Sequence, residues 1–306
     1  MSQYAIEIRG LVKRFGDKTV LGDVTFQVPK GKTYAFLGRN GAGKTTTIRI
    51  LLGLLRADGG QVSVLGLDPA RQALEIRRRV GYLAEDQRMF GWMRVRQLLD
   101  FIAPFYPHWN HSLAERLAGR LELPMNTRVR HLSKGHTVRL GLLLAVAHRP
   151  ELVILDDPTL GLDPIMRKEF LRDVVSYLQS IETTVFFSSH LLYEIEPVAD
   201  MVGILEGGRI VLQSATDTLR EQVKQLVLST EDYRRVSPLP RELDVVIRGQ
   251  QTAVVVADTE AACRAASKAG VRPTVINLNL DEIFEAYVTG KGEKTLDSQA
   301  DLERVG

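Results

Sequence analysis

Eight consecutive residues, Gly38-Arg39-Asn40-Gly41-Ala42-Gly43-Lys44-Thr45, fit the pattern G-x-x-x-x-G-K-[ST] without a gap. Glycines in such a loop let the backbone wind closely around phosphates and present its N–H groups at a helix N-terminus. Lys44 is then placed to reach the β- and γ-phosphates of a nucleoside triphosphate, the Thr45 hydroxyl to hold Mg²⁺, and Thr46 to join the loop in binding the nucleotide. Further on, Leu152-Val153-Ile154-Leu155-Asp156-Asp157 is an apolar run ending in two carboxylates. A buried parallel strand there delivers Asp156 beside the phosphate loop, where it holds Mg²⁺ through water. A glycine-rich turn that binds nothing is the alternative; the Lys-Thr ending and the flanking pattern argue against it.

These residues need a scaffold, and the pattern supplies one. Thr33–Leu37 reads as a short buried strand, followed by the glycines and a helical run over Thr45–Leu55. Strand, loop and helix in that order make an α/β building block. Ile6–Val12 and Val24–Val28 read as strands split by a turn at Gly16–Lys18, and Val62–Val64 and Val80–Leu83 as further strands. From Gln87 to about Leu123 the pattern turns helical and aromatic. Strands at Leu152–Asp156, Thr184–Ser188, Met201–Leu205 and Arg209–Leu212 alternate with helices at about Pro164–Ser180 and Leu191–Val198.

Beyond about Ala215 the character changes. Leu226–Ser229, Asp244–Arg248 and Ala253–Ala257 read as strands, the last two joined at Gly249-Gln250-Gln251. A helix over Thr259–Ala269, a strand at Val275–Leu278 and a helix over Asp281–Tyr287 complete a small α+β unit. The expected domains are 1–215, with a helical part at about 87–140, and 216–290. Residues 291–306 are polar and charged, and are expected to be disordered.

The whole chain sets limits. Its 306 residues are 44% hydrophobic, an ordinary globular composition ample for a buried core. A net charge of +3 is too balanced to argue for a nucleic-acid partner. One cysteine, Cys263, excludes an internal disulfide and suits a reducing compartment. The N-terminus lacks the pattern of a signal peptide. Apolar stretches fall short of the ~18 residues that a membrane span needs, so a role at a membrane requires a separate partner.

Three more motifs complete a set: Leu132-Ser133-Lys134-Gly135-His136, Gly161-Leu162-Asp163-Pro164 and Ser188-Ser189-His190. In this order and spacing, the set from about residue 3 to 213 resembles the ABC ATPase family. The resemblance implies an α/β phosphate-loop ATPase with an antiparallel β subdomain and a helical subdomain, to which the small C-terminal α+β domain is added. It implies ATP and Mg²⁺, with Thr45 and Asp156 at the metal and Lys44 at the phosphates. Asp157 stands where the family positions the attacking water, His190 where it contacts the γ-phosphate, and Asp163 where the two sites communicate. Phe15 stands where the family stacks an aromatic ring on adenine; a hairpin core residue is the other reading. Ser133, Gly135 and His136 resemble the loop that caps the γ-phosphate held by the opposite subunit, which implies a head-to-tail homodimer around two ATP molecules.

Three positions depart from the family. Asp157 replaces the usual Glu and is shorter by one C–C bond, about 1.5 Å. A misplacement of ~1 Å can cost on the order of 10²-fold in rate, so slow hydrolysis is expected. Glu85 stands where Gln is usual after a strand like Val80–Leu83, with Gln87 two residues on. A carboxylate there also approaches Mg²⁺, and Glu85 is preferred to Gln87 as the functional equivalent. Lys134 and His136 replace the usual Gly and Gln, and Lys134 either adds charge near the nucleotide or points to solvent.

The run Phe105-Tyr106-Pro107-His108-Trp109-Asn110 and the closing Leu278-Asn279-Leu280-Asp281-Glu282-Ile283-Phe284 are similar to stand-alone ATPases of bacterial exporters for drugs, antibiotics or polysaccharides. That resemblance implies an integral membrane permease encoded separately, and a place on the cytoplasmic face of the membrane through it. Phe90, Trp92, Phe105, Tyr106 and Trp109 either line the permease groove or form simple core. A soluble, non-transport ABC ATPase is the competing reading. Such proteins that act on ribosomes usually carry two cassettes, and those of DNA repair carry a long coiled coil between the motifs. This chain has one cassette and no long heptad run between Lys44 and Asp156. A slow-hydrolysing regulator, clamped by ATP, is the third. The C-terminal unit either strengthens dimerisation, regulates the cycle or is passive.

Overall fold

The computed structural model describes residues 2–159, 167, 178, 183–189, 197–290 and 293–295. Its internal contacts divide the chain between Gln213 and Ser214.

In the first unit, β1 (Tyr4–Phe15) and β2 (Lys18–Pro29) form an antiparallel hairpin, and β4 (Gly59–Val64) adds to the free side of β1. Both hairpin strands outrun the predicted 6–12 and 24–28. Register shifts, such as that between Ile8 and Leu11, let the ladder continue where the sequence alternation breaks. A six-stranded sheet follows in the order β5-β6-β7-β3-β8-β9. Its members are β3 (Thr33–Leu37), β5 (Val80–Leu83), β6 (Leu152–Asp156), β7 (Thr184–Ser189), β8 (Met201–Glu206) and β9 (Arg209–Ala215). The pairs β5–β6, β6–β7, β7–β3 and β3–β8 are parallel. Every residue of β3, β6 and β7 is buried, the mark of strands covered on both faces.

The two sheets share one core. Phe26 of β2 packs on Tyr34 and Phe36 of β3 and on Phe186 of β7, with ring centroids 5.6, 5.2 and 6.0 Å apart. Offset rings at such distances add to the burial of large apolar surfaces. This packing fixes the hairpin against the strand that leads into the phosphate loop.

The helices differ from expectation at their ends. Helix α1 (Lys44–Leu51) stops short of the predicted Leu55, because Gly53 turns the chain at φ +64°. After α2 (Ala73–Arg79), the predicted helical stretch 87–123 contains α3 (Val95–Ile102), a 3₁₀ turn at Ala103–Phe105 and α4 (His111–Arg120), with no helix before Val95. The Arg94 amide donates to Gln97 Oε1 at 2.9 Å, setting the start of α3. Helix α5 (Lys134–Val146) then crosses β5, close enough that a Cβ on Gly81 would meet Ala145 O at 2.1 Å. The helices expected at about 164–180 and 191–198 lie outside the described residues.

The second unit has a sheet of order β13-β10-β12-β11-β14. It comprises β10 (Lys224–Ser229), β11 (Glu242–Arg248), β12 (Gln251–Val256), β13 (Thr274–Asn277) and β14 (Glu293–Thr295). Strands β11 and β12 turn on Gly249-Gln250 alone, so β12 starts two residues before the predicted Ala253. Helices α6 (Thr216–Gln222) and α7 (Thr230–Val236) were not foreseen; α8 (Thr259–Lys268) and α9 (Leu280–Val288) were. Leu226, Val254, Val256, Ala262 and Ala266 are at the centre of its core. Within the segment expected to be disordered, β14 pairs in parallel with β11 from Val245↔Glu293 to Ile247↔Thr295. The rest of 291–306 lies outside the described residues. Among the described residues, no helix is long and apolar enough to cross a membrane.

Candidate functional site

The strand order decides what meets. The phosphate loop leaves the end of β3 and the two aspartates stand at the end of β6, with β7 between them. Carboxyl ends of parallel strands are where open α/β sheets bind ligands.

The loop is held by close approach. Gly38 lies so near β8 that a Cβ would meet Leu205 O at 2.6 Å. Gly43 sits at φ +112°, where a Cβ would meet Leu21 Cδ2 at 2.5 Å, so only glycine fits both the backbone and the space. The first bond into α1 is Thr47 N–H to Gly43 O at 2.9 Å. Gly43 offers no side-chain cap, leaving the amides of the first turn for an anion.

A cavity of about 260 Å³ opens in front of that turn, lined by Val20, Asn40, Gly41, Gly43, Lys44, Thr45, Thr46, Glu85 and Asp157. Lys44 is 6% exposed; its Nζ donates to Gly38 O at 2.8 Å and lies 3.8 Å from Asp157 Oδ2. Burial holds the Lys44 ammonium below its ordinary pKa, against the pull of Asp157, Asp156 and Glu85. Thr45 Oγ1 lies 3.4 Å from Asp156 Oδ1. A second cavity of about 430 Å³ flanks the loop on its other side, where Arg39, Asn40, Gly41 and Ala42 face Lys18, Glu206 and Gly207.

Asp156 is 1% exposed. Its Oδ1 accepts from Ser188 Oγ at 2.7 Å, while its Oδ2 is buried without a hydrogen-bond partner. Burial raises the Asp156 pKa; the Ser188 and Thr45 hydroxyls lower it, and Asp157 and Glu85 raise it further. A buried carboxylate oxygen without a donor, beside two more carboxylates and a threonine hydroxyl, fits a divalent cation. Among the described residues, no group of three or more His, Cys, Asp or Glu forms a metal cage. Mg²⁺ is held by few protein ligands together with phosphates and needs no such cage.

Asp157 is 8% exposed and adopts φ +43°, a left-handed conformation that Asp tolerates better than most residues. Its N–H donates to both Ser188 O and Ser188 Oγ, each at 3.1 Å.

Of the two polar candidates after β5, Glu85 lines the phosphate cavity. Gln87 is turned back on its own loop, donating to Ala84 O, with its Oε1 close against Gly141 of α5. Phe15 ends β1 at 50% exposure, with Lys13 Nζ 5.3 Å from its ring centroid, so it is not a core residue. It lines neither cavity beside the loop, whereas Val20 of the same hairpin lines both.

Ser133 caps α5: its Oγ accepts from His136 N–H at 3.2 Å and lies 2.9 Å from His136 Nδ1. Lys134 is exposed and Gly135 buried. A helix of this length aims a positive N-terminus outward at Ser133. His190 and Asp163 lie outside the described residues.

The aromatics separate into two sets. Phe90, Trp92 and Phe105 are exposed, and with exposed Phe101 they form a chain of edge contacts 5.3–6.4 Å between centroids. Tyr106 instead stacks on buried His148 at 4.1 Å, with Trp109 6.3 Å away.

In the sequence Ser188 stands out only as a neighbour of His190, since nothing there says that β7 runs between the two chemical strands.

Fold and site together define a phosphate-loop nucleotide-binding ATPase of ABC type. A family model described as ABC transporter matches residues 21–160. The chain is 36% identical over 219 residues to the bacitracin transport ATP-binding protein BcrA of Bacillus licheniformis, covering 71% of this chain and 72% of that one. It is 27% identical over 289 residues to the ABC transporter ATP-binding protein YtrB of Bacillus subtilis, covering 94% and 99%. Among solved structures, the ATP-binding subunit of an ABC transporter matches at TM-score 0.63 and 29% identity, covering 71% of this chain and 92% of that one. The chain belongs to the family of ABC transporter ATP-binding proteins.

Proposed function

We propose that this chain binds and hydrolyses MgATP as a homodimer and so drives a separately encoded membrane permease in export. The observation that carries the reading is the convergence of Lys44, Thr45 and Asp157 on one cavity, with buried Asp156 against Thr45 behind it and its Oδ2 left unpartnered.

In this reading the glycine loop and first-turn amides receive the phosphates, and Lys44 offsets their charge once it leaves Gly38 O and Asp157. Thr45 and Asp156 hold Mg²⁺, with Glu85 at the edge; the ion would draw charge from the phosphate oxygens. Asp157 orients the attacking water, and His190 stabilises the developing charge. Phe15 stacks on adenine. Two copies close head to tail, each bringing Ser133, Gly135 and His136 to the other's phosphates, with Asp163 linking the two sites. Because Asp157 is short, the chemical step is slow.

The exposed rings of Phe90, Trp92 and Phe105 suit the cytoplasmic surface of a permease, which would hold the chain at the inner face of the membrane. The bacitracin transport relative supports export of a drug-like or peptide cargo. Residues 1–215 form the ATPase, and 216–290 with β14 an accessory unit.

ATP hydrolysis by the purified chain tests the reading. Phosphate release should require Mg²⁺ and vanish in Lys44→Ala. Release that persists in Lys44→Ala, or no release with or without Mg²⁺, would overturn it.

A further inference from the structure

Ser188 is fully buried at the end of β7, between the strand of the phosphate loop and the strand of the aspartates. Its single hydroxyl serves both aspartates: it donates to Asp156 Oδ1 at 2.7 Å and accepts from Asp157 N–H at 3.1 Å. A hydroxyl has one donor and two acceptor positions, so both bonds are compatible. We propose that Ser188 is a positioning residue of the ATP site, which fixes the Asp156 carboxylate in one orientation beside Thr45, with Oδ2 kept free of hydrogen bonds for the cation, and pins the left-handed turn that brings Asp157 to Lys44.

The inference rests on the MgATP reading above. Its physical basis is the division of labour on one carboxylate. Two hydroxyls, Ser188 and Thr45, lie against Oδ1, and none lies against Oδ2. A freely rotating Asp156 would exchange these oxygens; a 2.7 Å bond from a rigid buried strand prevents it. The second bond acts on the backbone. Asp157 at φ +43° is held by two acceptors from the same residue, Ser188 O and Oγ. Loss of Oγ leaves the ladder bond but frees the turn. Groups that orient a metal ligand commonly change metal affinity or activity by 10–100-fold when removed.

The test uses the full chain and Ser188→Ala, with Ser188→Thr as the variant that keeps the hydroxyl. Binding of a fluorescent ATP analogue is measured with EDTA and along a Mg²⁺ titration, and hydrolysis is measured beside it. In Ser188→Ala, binding in EDTA should match wild type, the Mg²⁺ concentration for half-maximal effect should rise on the order of tenfold, and kcat should fall more than KM rises. Ser188→Thr should restore most of both. A Ser188→Ala protein with wild-type Mg²⁺ dependence, or one weakened equally with and without Mg²⁺, would overturn the proposal. If Ser188→Ala does not fold, Ser188→Cys, a weak donor of similar size, should show the same direction of shift, and a wild-type Mg²⁺ dependence there would overturn it. A wild-type chain with no Mg²⁺-dependent nucleotide binding would instead bring down the ATP-site reading, and this role with it.

Discussion

Lys44 Nζ stands 3.8 Å from Asp157 Oδ2, so the cation proposed for the phosphates rests beside the carboxylate proposed for the water. Both groups are buried, and neither tolerates isolation in a low-dielectric site. In the proposed mechanism a triphosphate offers Lys44 a stronger anion and releases Asp157 toward the water.

Replacing Lys44 therefore removes the proposed phosphate contact and the ammonium that stands 3.8 Å from Asp157. Lys44→Ala should lower ATP turnover on the order of 10²-fold or more, as loss of a charge-stabilising donor commonly does. A coupled phosphate-release assay checks this.

In the proposed mechanism the short Asp157 side chain limits the rate. Asp157→Glu should raise kcat, on the order of tenfold or more, and Asp157→Asn should nearly abolish it. The left-handed backbone at φ +43° sets a counter-effect, since Glu has less access to local hydrogen bonding there. A stability loss of up to ~1 kcal/mol is expected alongside the faster rate. Single-turnover kinetics and thermal melts report the two separately.

Phe15 presents its ring to solvent at the end of β1, under the charge of Lys13. Phe15→Ala should raise KM for ATP about three- to tenfold with kcat little changed, matching a stacking contact of ~0.5–1.5 kcal/mol. Phe15→Tyr should keep the wild-type KM.

His148 is 2% exposed beneath Tyr106. Burial pushes its pKa down to about 4, against a smaller upward pull from the Val80 and Leu144 backbone. The unfolded imidazole titrates near 6.5. Above that pH neither state carries the proton. As pH falls from about 6.5 toward 4, the unfolded chain binds a proton that the folded chain refuses, so stability is lost in that window. The loss should reach roughly 2–3 kcal/mol by pH 4.5. Denaturant unfolding at pH 7 and 4.5 should show a smaller difference for His148→Leu than for wild type.

The exposed rings predict a separation of functions. Trp92→Ala with Phe105→Ala should leave hydrolysis by the isolated chain within twofold of wild type, yet weaken its recovery with membrane protein by an order of magnitude. Hydrophobic anchors at an interface commonly carry that much.

What was legible in the sequence is what depends on local order. The phosphate loop could be read because Gly38 through Thr45 are consecutive, and the strand ending in Asp156 because its apolar run is unbroken. Helix ends were less legible: α1 stops at Gly53, and α6 and α7 are seven-residue helices with charged faces and no long apolar period. The relation of Ser188 to Asp156 could not be read at all. It exists because β7 lies between β3 and β6, an order set by crossovers that the chain does not write in sequence. Glu85 and Gln87 are two residues apart with similar chemistry; in the fold both line a cavity with Thr45 and Asp156, Glu85 also lines the phosphate cavity, and Gln87 donates to Ala84 O.

The most direct test is purification of the tagged full chain from detergent-solubilised native membranes, with ATP hydrolysis measured on what is recovered. The account predicts a multi-span membrane protein in stoichiometric amount and Mg²⁺-dependent hydrolysis that Lys44→Ala removes. A chain recovered without membrane protein, carrying ribosomes or DNA instead, would contradict it.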